Sequence, residues 1–97
     1  MRTRVVITGL GAISPLGHDV STLWEGLLAG RSGAGPITHY DTTGHKVQIA
    51  AEVKDFDGIA IFGRGEARRM DRFSQFAVVT ARQAVEHARL IINENNR

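Results

Sequence analysis

The sequence predicts an α/β fold, on three observations. Val5, Val6, Ile7 and Thr8 form an uninterrupted β-branched run, the composition of a strand buried on both faces. Two later stretches, residues 19–30 and 66–88, place apolar side chains at the 3.6-residue spacing of amphipathic helices. Between the first run and the first helix stand Gly9, Gly11, Pro15 and Gly17, so strand, glycine turn and helix follow in order. A buried strand can neither pair its own backbone nor cover its own faces, and the later segments are too few to supply all of that cover.

Each element has its own justification. Gly9 and Gly11 flank Leu10, a spacing that serves either positive φ or close approach to another main chain. In residues 19–30, Val20, Leu23, Trp24, Leu27 and Leu28 make one apolar face. Asp19 or Ser21 can cap the start, Thr22 and Glu25 have capping-box spacing, and Gly30 can turn left-handed at the end. Residues 31–44 carry Gly33, Gly35, Pro36, Asp41 and Gly44 and read as a surface connection, long for a compact domain. Val47, Ile49 and Ala51 alternate with Gln48, Ala50 and Glu52, the pattern of a short strand with one buried face. No single period fits residues 55–65, which are expected to be irregular with one helical turn. From Glu66 onward, Phe73, Phe76, Ala77, Thr80, Ala81, Ala84 and Ala88 line a helix face. Its small residues permit close packing, with Asp71 at or near the start and Arg82, Gln83 and Glu86 turned outward. Ile91, Ile92 and the following NENNR read as a fraying end.

Composition narrows the function. Ninety-seven residues, 42% hydrophobic and 23% charged, suit one soluble globular unit rather than a disordered chain. The net charge of +2 is too near balance to indicate nucleic acid. The absence of cysteine removes disulfides, thiolate nucleophiles and Cys-based metal sites from this stretch. No apolar run approaches the ~20 residues of a membrane span, and no secretory h-region is visible, so a cytoplasmic location is expected.

Four motifs admit both a chemical and a structural reading. Gly9, Gly11 and Ser14 nearly match a dinucleotide fingerprint, but Pro15 follows and no acid stands about twenty residues on, so a structural turn is preferred. Ser14 lacks the flanking glycines of a nucleophile elbow. His18, His39, His45 and His87 have no metal-ligand spacing and read as surface residues. Arg64, Arg68, Arg69 and Arg72 are four positive charges within nine residues, offset only by Glu66 and Asp71. A solvated helix face is the plain reading, and a docking surface for an acidic or phosphorylated partner is the functional one.

Together, VVITGLGAISPLG, VSTLWEGLLAGRSG and EARRMDRFSQFAVVTARQA resemble the N-terminal portion of the β-ketoacyl-acyl-carrier-protein synthase II family, elongating condensing enzymes of fatty-acid synthesis. The resemblance covers nearly the whole chain, and TGLG-x-x-SPLG together with RRMDRF makes it specific. Polyketide ketosynthases and their noncatalytic chain-length partners share the first stretch and stay open as alternatives. So do a small binding module with a basic docking face and a nucleotide-binding α/β unit.

The resemblance implies a thiolase-like layered α/β/α/β/α fold, incomplete in this chain, with residues 1–97 as the first segment of a synthase N-terminal domain. It further implies a homodimer, acyl carrier protein as partner, and no dissociable cofactor. The chemistry it implies is a decarboxylative Claisen condensation on a cysteine assisted by two histidines. Those three residues lie downstream in the family, so this stretch alone is expected to hold no catalytic residue, to be inactive and to be marginally stable. Arg64, Arg68 and Arg69 are expected to meet the carrier protein. As arginines at the start of a helix they would face the unfavourable end of its dipole, which argues for docking over local stability. The chain departs from the family in three places: Gly65 where a lysine is common, the stretch 58–63, and His87, Ala88 and Arg89 where Asp-Ala-Gly is common. Arg89 in place of a left-handed glycine is expected to change how the last helix ends.

Overall fold

The computed structural model describes residues 2–97. Helix α1 spans Val20–Leu28, strands β1 and β2 span Ala34–Pro36 and Ile49–Ala51, and helices α2, α3 and α4 span Gly58–Phe62, Arg64–Arg69 and Arg72–Ala88. The chain forms two compact units, one of residues 13–57 and the other of residues 2–12 with 58–97.

The unit of residues 13–57 begins with a tight turn. Ser14 and Gly17 exchange backbone hydrogen bonds at 2.9 and 3.2 Å around Pro15, while Ser14 Oγ accepts from Leu16 N at 3.1 Å. Helix α1 follows because Asp19 caps it, its carboxylate accepting from Thr22 N at 2.8 Å, and it stops where Gly30 takes φ +68°. Gly26 is buried because its missing side chain admits Leu16, whose Cβ would lie 3.2 Å from a Cβ at that position. Of the predicted apolar face, Val20 and Leu23 are half-buried, while Trp24 is 59% exposed and Leu27 and Leu28 are exposed as well.

Strands β1 and β2 pair antiparallel, Ala34 with Ala51, Gly35 with Ala50 and Pro36 with Ile49. The connection expected over 31–44 therefore contains a strand, and the strand expected around Val47 narrows to Ile49–Ala51. All three residues of β2 are exposed, so the alternation did not mark a buried face here. What holds the hairpin is Glu52, which reaches back across the loop. Its carboxylate accepts from Thr38 N and Thr38 Oγ1, both at 3.0 Å, and from His39 N at 3.3 Å. These bonds, the Thr38 N–H first, hold the Glu52 carboxyl below the usual glutamate value of 4.5.

In the other unit, residues 9–12 run antiparallel along α4. A Cβ at Gly9 would strike the Ala84 carbonyl and lie 2.8 Å from Ala88 Cβ, and one at Gly11 would strike the Thr80 carbonyl. Neither glycine has positive φ, so close approach is the reason for both. Two side chains of α4 serve the backbone of this segment. Gln83 Oε1 accepts from Ala12 N at 2.9 Å and His87 Nδ1 from Leu10 N at 3.0 Å. Gln83, expected outward, is half-buried because the amide it serves lies on the packed side. Of the predicted face, Phe76, Thr80, Ala84 and Ala88 are half-buried, while Phe73, Ala77 and Ala81 are exposed.

Residues 5–8 form no strand. A strand needs a neighbour to take its N–H and C=O groups, and among the described residues none lies beside it. Val5 is 91% and Ile7 82% exposed. The altered end expected for helix α4 is not found: Arg89 itself takes φ 55°, and Arg89 N to Glu86 O and Leu90 N to Val85 O close a Schellman turn. No apolar side chain is fully buried among the described residues, and the accessible surface is 8014 Å².

Four measurements follow from this structure. Gly11→Ala is expected to lower unfolding free energy by about 1 to 3 kcal/mol in a urea titration, as overpacking does. Gly35→Ala, where a Cβ meets nothing within 4 Å, should change it by less than about 0.5 kcal/mol. Arg89→Gly should raise it by roughly 0.5 to 1 kcal/mol, left-handed strain of about 1 to 2 relieved less the glycine's unfolded-state entropy. For Glu52, folded affinity for the proton is reduced, so its stabilisation is complete above about pH 4.5 and is lost as pH falls through the lower folded value. The Thr38 amide resonance should report this loss, and Glu52→Gln should abolish it.

Candidate docking face

The four arginines fall on two helices. Arg64 opens α3, Arg68 and Arg69 close it, and Arg72 opens α4. A six-residue helix does not hold its shape alone. Here the side-chain amide of Gln75, one turn into α4, donates to Ala67 O at 3.1 Å and to Met70 O at 3.3 Å, capping the carbonyl end of α3. Gly58 makes room for that amide, since a Cβ there would collide with Gln75 Oε1. Gly63, at φ +82°, provides the sharp turn between α2 and α3. The backbone beneath Arg68 and Arg69 is therefore fixed by two side-chain hydrogen bonds.

Arg64, Arg68 and Arg69 are all exposed. Arg64 and Arg68 are four residues apart and share one face of α3. Arg69 meets Glu66 at 3.5 Å, with both side chains well exposed, a pair of little energetic weight. Arg72 differs: its guanidinium lies 5.1 Å from the Phe76 ring centroid. The helix-start argument for the arginines fails. Arg68 and Arg69 occupy the last turn of α3, where positive charge is favoured, and Glu66 occupies the first turn. Their exposure and their small local role now carry the case for an external partner.

The unit of residues 13–57 has a cavity of about 410 Å³ lined by residues 14–19, Thr22, Lys54 and Asp55. Its polar groups are engaged in holding backbone. Lys54 Nζ donates to Gly33 O at 3.1 Å, Glu52 O at 3.2 Å and Pro15 O at 3.5 Å, and Ser14 Oγ donates to Gly17 O at 3.3 Å. The Asp19 carboxyl is lowered first by the Thr22 N–H, and the Asp41 carboxyl first by the Thr43 hydroxyl, so both shifts come from local capping. No nucleophile and base are brought together there. The histidines are likewise distributed: His18 bonds Lys54 O and stands edge-on to Phe56, His39 pairs with Glu52 at 3.3 Å, His45 tilts against Tyr40, and His87 serves Leu10. No three of His, Cys, Asp and Glu converge as metal ligands among the described residues. Nor is any helix of the described residues long and apolar enough to cross a membrane.

Sequence reasoning missed Gln75 and Gln83, because an isolated glutamine carries no periodic or motif signal. The glycines opposite them, Gly58 and Gly11, are the only trace such contacts leave in a sequence.

The model of the beta-ketoacyl synthase N-terminal domain matches residues 2–97. The 3-oxoacyl-acyl-carrier-protein synthase 2 of Synechocystis sp. is 50% identical over 95 residues, 98% of this chain and 23% of that protein. That of Coxiella burnetii is 53% identical over 95 residues, again 98% and 23%. That of Staphylococcus aureus is 53% identical over 92 residues, 95% of this chain and 22% of that protein. Among solved structures, the ishigamide ketosynthase/chain length factor superposes with a TM-score of 0.83 at 45% identity, covering 94% of this chain and 23% of that one. The chain thus spans under a quarter of the length of the curated relatives it matches.

Proposed function

Because the chain belongs to the family of beta-ketoacyl synthase N-terminal domains, we propose that it is the first segment of a 3-oxoacyl-acyl-carrier-protein synthase, within which α3 docks the carrier. The full-length protein catalyses decarboxylative Claisen condensation in fatty-acid elongation, as a cytoplasmic homodimer. Its cysteine and two histidines follow this segment. The cysteine thiolate attacks the acyl thioester and expels the carrier thiol. Malonyl thioester then loses CO2, and its carbanion attacks the acyl-enzyme and returns the thiolate. The contribution of residues 2–97 is to present Arg64, Arg68 and Arg69 to an acidic carrier surface. The observation that supports this is the exposed arginine set on a helix whose backbone Gln75 holds in place.

A second reading is favoured by the likeness to a ketosynthase/chain length factor: a polyketide condensing enzyme or its noncatalytic partner. The reading frame past residue 97 separates them, since the noncatalytic partner lacks the nucleophilic cysteine.

Docking is tested in the full-length enzyme with Arg68→Glu and Arg69→Glu combined. Rim charges act mainly on association rate and salt dependence, so the apparent KM for carrier-bound acyl substrate should rise about tenfold at low salt while small thioesters keep their kcat/KM. Gly65 stands where a lysine would add a fourth cation to this helix, which makes the two arginines more important. Equal losses on carrier-bound and small substrates would mean that the arginines support the fold, and docking at α3 would be withdrawn.

A further inference from the structure

We propose that His87 makes the seating of residues 9–12 on α4 depend on pH: neutral imidazole holds the segment at Leu10, and imidazolium releases it. The carrying observation is the 3.0 Å bond from Leu10 N to His87 Nδ1. A ring nitrogen accepts a hydrogen bond only when it bears no proton, so the bond requires a neutral ring with its proton on Nε2. Protonation makes both ring nitrogens donors and leaves the Leu10 N–H facing another N–H. Histidine is the side chain suited to making that change between about pH 5 and 8.

The surroundings give the segment no easy adjustment. Gly9 and Gly11 already lie against the carbonyls of Ala84 and Thr80, so closer approach is blocked. The segment packed against His87, Gly9 to Ala12, carries no titratable side chain. On α4 and just past it, the charged residues next to His87 in sequence are Glu86 and Arg89. One helical turn away, the bond from Ala12 N to Gln83 Oε1 at 2.9 Å has no titratable member. Residues 9–12 are therefore held by one tie that responds to pH and one that does not. Opening the first frees the end that leads into the apolar run Val5, Val6 and Ile7.

The test is hydrogen–deuterium exchange of peptides covering residues 5–13 in the full-length protein at about pH 5.5 and about pH 8, corrected for intrinsic exchange. Wild type is compared with His87→Asn, whose Oδ1 replaces Nδ1 as acceptor and does not titrate. In wild type the Leu10 amide should lose about tenfold protection at the lower pH while Ala12 keeps its own, and the variant should show neither change. The same loss in both proteins, or none in wild type, overturns the proposal. Should His87→Asn fail to fold, nitrogen NMR of the wild-type imidazole decides. A proton on Nε2 and a bare Nδ1 near pH 8 support the proposal, and a proton on Nδ1 overturns it.

Discussion

Every backbone N–H and C=O removed from water needs a partner, and the segments of this chain meet that requirement in different ways. The helices satisfy themselves except at their ends, where Asp19, Gln75 and the Arg89 turn close α1, α3 and α4. The hairpin pairs three residues with three and lets one carboxylate organise the loop between them. Residues 9–12 borrow the side chains of Gln83 and His87. Residues 5–8 have no such provision, and that single lack explains why the most β-prone stretch of the sequence is not a strand.

The same lack appears as surface. Large apolar side chains lie exposed in both units, from Val5 to Ile92. Val5 to Ile7 and the Trp24 side of α1 are among them, and a groove on α4 is lined by Val78, Ala81, Arg82, Val85, Glu86 and Ile92. The relative from Synechocystis sp. is more than four times as long as this chain.

Local elements were legible where a short-range rule decided them. Asp19 before an apolar period and Gly30 after it mark α1, and the family likeness bears out a thiolase-like α/β fold. The misreadings have a common cause, since each depended on a neighbour that the local sequence does not name. Val47, Ile49 and Ala51 alternate as if over a core, yet all three are exposed. Gln83 turned inward because Ala12 N needed it. Arg68 and Arg69 looked like a helix start because the regular pattern was read from Glu66 onward, and only the break at Met70 makes them an end. Arg89 shows that a left-handed turn can be imposed on an unsuitable residue when the two hydrogen bonds of the turn demand it.

The two ties between residues 9–12 and α4 have a metrical consequence. Two residues of extended chain advance about 6.7 Å, whereas four residues of helix advance about 6.0 Å, so Leu10 and Ala12 can both meet partners at His87 and Gln83. With a mismatch of about 0.7 Å per repeat, a third and fourth tie would drift out of hydrogen-bonding range. The two scales act as a vernier: because their divisions differ slightly, they coincide at one place only. Axial position along α4 is thereby defined by backbone geometry and two acceptors, without a large side chain on the glycine segment to act as a stop.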